Sequence, residues 1–198
     1  FDPATGRYSP TGSLTLGRFA ASATPLADGR VLLVGGPYHA ACEFYDPLSG
    51  TFTPGPGLAQ PRVGNGFTTT LLADGRVLVT GGFDYDEKGE DLVLPFVDRF
   101  DPTTGSFEAL PDLQSSRSGH TATLLADGRV LIVGGYNGFF AADATAELYD
   151  PATGTTTPTG ALGIGREGAT AVLLADGRVL VAGGFNAGAG RHQRSAEL

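Results

Sequence analysis

Four arginines precede four short, β-prone apolar runs, at Arg18, Arg62, Arg117 and Arg166. A guanidinium is a planar fork of donors, suited to bidentate bonds with a carboxylate or a phosphate. Arranged around one opening, the four would bind such an anion. A residue present in every unit of a repeat serves equally well to tie one unit's loop to the next. Both readings follow from the sequence. His120 falls beside Arg117, where the other repeats carry Ala21, Asn65 and Ala169. A single histidine on an inner strand reads as a hydrogen-bonded core residue as readily as a ligand. Tyr38, Tyr136, Asn137 and Phe185 follow Gly-Gly pairs, with Phe139, Phe140 and Asn186 close behind. These aromatic and amide side chains would form a platform for a carbohydrate or a peptide, or would pack over the opening.

Catalytic and metal chemistry find less support. The acidic stretch Asp84-Tyr-Asp-Glu-Lys-Gly-Glu-Asp91 resembles part of a calcium loop through Asp84, Asp86 and Gly89. Lys88 stands at a ligand position, however, and Pro95 where a bidentate glutamate is needed. A solvated insertion is the expected outcome. His39, His120 and His192 lie in three different repeats, without the short spacing of a metal site. Cys42 holds a position occupied elsewhere by Ala146 and Ala196, a packing site for a small side chain. No nucleophile elbow is present. The expectation is a non-enzymatic chain with no metal and no cofactor.

The elements that position these residues are written four times. Leu-Ala-Asp-Gly-Arg-Val starts at Leu26, Leu72, Leu125 and Leu174, and each copy runs into an apolar stretch ending in Gly-Gly. A second motif, aromatic-Asp-Pro-x-x-Gly, starts at Phe1, Tyr45, Phe100 and Tyr149. A period of this size marks stacked supersecondary units. In the third repeat His120–Leu125 reads as strand a and Val130–Val133 as a doubly buried strand b. Asp127-Gly128 between them predicts a two-residue type I′ hairpin. Ala146–Tyr149 is strand c, and Thr155–Thr157 is a more polar strand d. Such a four-stranded meander has two apolar faces and buries them only by radial packing with its neighbours. The fold class expected is all-β, a β-propeller with four blade-equivalents in this chain.

The Arg-x-Gly-His lead-in at Arg117, the Gly-Gly after strand b and the Glu-x-Tyr-Asp-Pro-x-x-Gly of strand c resemble kelch repeats over essentially the whole chain. The bacterial, galactose-oxidase-like branch is the most similar. The resemblance implies four-stranded antiparallel blades, and arginines at the lead-in position that in some such domains bind acidic peptides. It also raises a copper–radical site, which needs a Cys–Tyr crosslink with Tyr and His ligands that these residues do not match. The strand-d tryptophan usual in kelch repeats is absent. Tyr8, Phe52, Phe107 and Thr156 stand near its place, implying a smaller outer-strand contact.

Segment lengths separate frame from variable surface. Each Asp of Asp-Pro lies 16 residues before the next lead-in arginine. From Gly-Gly to the next Asp-Pro the length varies widely, so the variation falls on the b–c links. These share one rim with the lead-in arginines, and that rim is the expected binding face. The blades expected are 18–61, 62–116, 117–165 and a split one of 1–17 with 166–198. Ser195-Ala-Glu-Leu198 reads as the first half of a strand c, and Phe1-Asp2-Pro3 as the second. Kelch propellers carry six or seven blades, so four predict a partial or half propeller that self-associates, most simply as a homodimer. The partners expected are a second copy and a protein, peptide or glycan. A net charge of −8 argues against nucleic acid and anionic membranes. Compartment cannot be read from one cysteine. Two other functional readings remain: a fragment of a galactose-oxidase-like secreted enzyme, and a purely structural engineered propeller.

Overall fold

Each Leu-Ala-Asp-Gly-Arg motif closes a hairpin, by a different turn from the one its Asp-Gly predicts. The computed structural model describes every residue except 19, 37–40, 61, 63–65, 86 and 140–141. In the third repeat the Leu125 N–H donates to the Arg129 carbonyl (2.8 Å), and the Gly128 N–H to that of Leu125 (3.0 Å). The loop is therefore the three residues 126–128, with Gly128 alone at positive φ (+88°). The expected type I′ turn needs Asp127 at positive φ as well. Instead the Asp127 carboxylate accepts the Arg129 N–H (3.1 Å) and its guanidinium (2.7 Å), an anchor repeated at Asp28, Asp74 and Asp176. The motif's arginine thus belongs to the turn.

Four antiparallel sheets result. The first holds β1 (Ser22–Pro25), β2 (Val31–Val34), β3 (Ala41–Asp46) and β4 (Thr51–Gly57) in that order. The second is built on β5 (Phe67–Leu71) and β6 (Val77–Gly81). The separate hairpin of β7 (Phe83–Tyr85) and β8 (Asp91–Val93) follows, and β9 (Val97–Asp101) and β10 (Ser106–Leu110) complete the sheet. The third holds β11 (Thr121–Leu124), β12 (Val130–Val133), β13 (Ala146–Asp150) and β14 (Thr155–Pro158). The fourth joins β15 (Thr170–Leu173) and β16 (Val179–Ala182) to β19 (Ala196–Glu197), with β17 (Phe185–Asn186) and β18 (Arg191–His192) forming a hairpin outside it. The described residues are thus all-β in regular structure. Strands β1, β5, β11 and β15 neighbour one another in that order, so the sheets stand in a row, first to fourth.

Two apolar clusters hold the row together. Leu32, Cys42, Leu58, Val77 and Val79 surround Phe100 between the first and second sheets. Leu78, Val97, Leu113, Val130 and Ile132 surround Tyr149 between the second and third. The doubly apolar strands explain this: β6 is buried along its whole length, serving both faces at once. The Gly-Gly pairs lie at the joints. Gly134 and Gly135 both take positive φ (+70° and +99°), and the Gly135 N–H bonds the Arg166 carbonyl (2.9 Å) across to the next repeat. A Cβ at Gly135 would press on the Ser118 carbonyl and on His120. Between the two outer strands of these sheets stand ring pairs: Tyr45 with Phe52 (4.7 Å between centroids) and Phe100 with Phe107 (5.1 Å).

Candidate functional site

The lead-in arginines are built into the frame. Arg117 Nη1 donates to the carbonyls of Gly134 (2.8 Å) and Thr145 (3.0 Å), while Nη2 donates to Glu147 Oε1 (3.0 Å) and Thr145 Oγ1 (2.7 Å). Arg62 repeats this with Gly81, Phe96 and Asp98. Arg166 does so with Gly183, Ser195 and Glu197, and Arg18 with Gly35, Ala41 and Glu43. In each repeat one guanidinium therefore joins the end of strand b to the start of strand c. The carboxylate's other oxygen accepts a backbone N–H from the incoming link, as Glu147 Oε2 does from Gln114 (2.8 Å) and Glu43 Oε2 from Thr15 (2.8 Å). Arg62, Arg117 and Arg166 are wholly enclosed, and their fork geometry faces the frame.

Electrostatics follow this enclosure. Burial pushes the Asp98 carboxyl above the usual carboxylate range against the pull of Arg62. At Glu43 burial acts the same way, but the Thr15 N–H and Arg18 outweigh it and hold the carboxyl low. For Glu197 the Gly163 N–H is the largest influence, with Arg166 assisting, and the carboxyl again lies low. His120 is also interior. Its Nε2 lies 2.9 Å from Thr80 Oγ1 and 3.1 Å from Thr68 Oγ1, and burial, aided by Arg117 and Arg62, pushes it down to about 3. It is a neutral core imidazole locking the second sheet to the third. Cys42 is buried in the first joint, its thiol pushed up to about 12 by burial.

The rim itself carries an open cleft of about 610 Å³ between the third and fourth repeats. Its aromatic walls are Tyr136 and Phe185, placed by one device used twice. Tyr136 exchanges backbone hydrogen bonds with Ser118 (2.7 and 2.9 Å), and Phe185 does so with Glu167 (2.8 and 2.9 Å). The residue after Gly-Gly is thus paired with the residue after the lead-in arginine. Gly119 and Gly168 form the floor, the Gly168 N–H donating to the Gly119 carbonyl (2.7 Å), both at positive φ. The β17–β18 hairpin brings His192 opposite Phe185, with ring centroids 5.1 Å apart. Gln193 completes the lining.

Of the residues expected to bind, Tyr136 and Phe185 therefore share one site. Asn137 lies beside it and its Oδ1 caps the Phe139 N–H (3.1 Å). Tyr38 and Asn65 fall outside the described residues, as does Asp86 of the acidic loop. The remainder of that loop connects β7 to β8. No group of three or more His, Cys, Asp or Glu is placed to hold a metal ion among the described residues. Ser118, Glu167 and Gln193 are cleft residues that sequence reasoning missed. A usable signal was present: the position after the invariant lead-in arginine reads Phe19, Val63, Ser118 and Glu167, a different residue in each repeat.

An aromatic face stacks on apolar or sugar C–H surface. Around it stand a carboxylate, an amide, a hydroxyl and an imidazole that give and accept hydrogen bonds. Among the described residues, no lysine or arginine lines the cleft. No family model matches the chain.

Proposed function

We propose that this chain is a kelch-like propeller segment, its four sheets acting as blades, and a non-catalytic binding module. Its ligand is a glycan or peptide held in the rim cleft of Tyr136, Glu167, Phe185 and His192. The observation that carries this reading is the paired placement of Tyr136 and Phe185 by one backbone device. It sets two rings on a rigid frame at the rim where loop lengths vary, the usual place for recognition. The propeller reading is supported by the row of inner strands and by two joints built from corresponding repeat positions.

The cleft's chemistry selects the charge of the ligand. Glu167 supplies a carboxylate to its lining, and the forks of Arg117 and Arg166 are enclosed below. An anionic peptide would meet the Glu167 carboxylate. A neutral sugar, or a peptide presenting a basic side chain, is complementary. The test is calorimetric titration of neutral oligosaccharides and of basic and acidic peptides into the protein. Neutral or basic ligands are expected to bind, and Phe185→Ala to weaken binding about tenfold or more without altering the melting temperature. Glu167→Gln should selectively weaken basic ligands. Preference for acidic peptides, or binding indifferent to both substitutions, would sink the reading.

A further inference from the structure

Asn137 and Asn186 hold the same place in two repeats, each directly after a ring that walls the rim cleft. Their surroundings differ. Asn186 is held at both ends: its Nδ2 donates to the Gly165 carbonyl (2.8 Å) and its Oδ1 accepts the Ala189 N–H (2.8 Å). Among the described residues Asn137 is held at one end alone, where Oδ1 accepts the Phe139 N–H (3.1 Å). The residue that follows differs too. Asn186 precedes Ala187, whereas Asn137 precedes Gly138, which is exposed and at positive φ (+92°).

An asparagine amide carbon is an electrophile, and the next backbone nitrogen is a nucleophile within its reach, so asparagine is a thermolabile residue. Three features favour their reaction at Asn137. The bond from the Phe139 N–H folds the side chain forward along the chain, toward Gly138 N. That N–H also points at Oδ1, the atom on which negative charge collects when Cγ is attacked. Gly138 brings no Cβ to shield its nitrogen, and among the described residues its N–H has no hydrogen-bond partner. Asn186 lacks these advantages, since its amide is tied on both sides and Ala187 shields the nitrogen. The third asparagine, Asn65, also precedes a glycine but lies outside the described residues.

We propose that Asn137-Gly138 is a self-modifying site, at which Asn137 loses ammonia and becomes an aspartyl or isoaspartyl residue. Gly138 N gives up its proton to water and attacks Asn137 Cγ. The new C–N bond closes a cyclic succinimide, and the Cγ–Nδ2 bond breaks as Nδ2 takes up a proton and leaves as ammonia. Water then adds to either ring carbonyl. Breaking the Cγ–N bond leaves an aspartate. Breaking the backbone C–N bond instead runs the chain through Cβ and Cγ and frees the former backbone carbonyl as a carboxylate. Both products carry a negative charge that Asn137 lacks, next in sequence to Tyr136, a wall of the cleft. Resting on the binding role proposed for that cleft, the modified chain takes basic ligands more tightly than the unmodified one and acidic ligands less.

The test is to hold the intact folded chain at mildly alkaline pH and follow the tryptic peptides containing Asn137 and Asn186 by mass spectrometry. Asn137 is expected to change from amide to acid about tenfold faster than Asn186 or more. Isoaspartyl methyltransferase should label its peptide, and Asn137→Gln should abolish the conversion with the β circular dichroism spectrum unchanged. Equal rates at Asn137 and Asn186, or conversion of Asn137 only in urea, would overturn the proposal. The consequence is read separately by titrating basic and acidic peptides into Asn137→Asp, where a several-fold shift toward basic ligands is expected. Unchanged affinities would overturn the charge effect. Binding of neither class by either form would overturn the cleft reading alone, because the conversion is read by mass.

Discussion

At the scale of single residues, the four lead-in arginines show how a side chain suited to ligand binding is used as a fastener. Arg117 makes its bonds in a space closed to water, to two carbonyls, a hydroxyl and two carboxylates. Truncating one member of such a buried pair leaves its partners unpaired, which costs about 3–5 kcal/mol. Arg117→Ala is therefore expected to lower unfolding free energy by about that amount in urea titration, with Arg117→Lys recovering only a part because an ammonium cannot span the fork. A change within ±0.5 kcal/mol would show the clamp to be energetically idle. The arginines were legible in the sequence, and tying one unit's loop to the next was one of their two readings; the partners that decide between the two were not. The deciding partners, Glu43, Asp98, Glu147 and Glu197, sit on strand c in every repeat, and an acidic residue in a buried strand is itself the sign of a cation nearby. His120 shows the reverse: its environment of Thr68 and Thr80 comes from a neighbouring sheet, and no local pattern announces it.

At the scale of elements, the clamp explains why loops of different length rise from the same frame. Arg62 fixes Gly81 and Phe96 to each other, so whatever chain runs between them starts and ends in the same place. The β7–β8 hairpin is such an insertion, exposed over most of residues 85–92. Replacing residues 84–92 by a short Gly-Asn-Gly turn, with Val93 and Leu94 kept, should change stability by less than about 1 kcal/mol, because closure entropy depends only weakly on loop length. Thermal and urea unfolding check this, and a loss of several kcal/mol would mean that the hairpin supports the second sheet. Strand positions and the two repeated motifs were readable because period and turn residues agree. The turn type was not, since Asp127-Gly128 fits a two-residue hairpin as well as a three-residue one. The choice between them is made by a bond from Arg129 back to Asp127.

At the scale of the whole molecule, buried ionisable groups make stability depend on pH in two separate windows. His120 in the folded chain is held down to about 3, whereas an unfolded histidine titrates near 6.5. Its folded value is depressed, so its contribution is complete above about pH 6.5 and is lost as pH falls toward 3, with a slope of up to about 1.4 kcal/mol per pH unit. The carboxylates held low, Glu43, Asp143 and Glu197, contribute fully above about pH 4.5 and are lost below it. Asp98 opposes them, since its raised value lets the folded chain take up a proton first. Melting temperature should therefore be level from pH 8 to about 7, decline from there, and steepen below about pH 4.5. His120→Gln should flatten the decline between about pH 6.5 and 4.5 and leave the steeper acid limb in place. Because His120, Glu43 and Asp143 are interior, added salt should shift their part of the profile little, unlike the part from the more exposed Glu197 or from the exposed Asp–Arg pairs of the turns. A profile that His120→Gln does not alter would place the first window elsewhere, and one that salt abolishes would assign the acid limb to the surface.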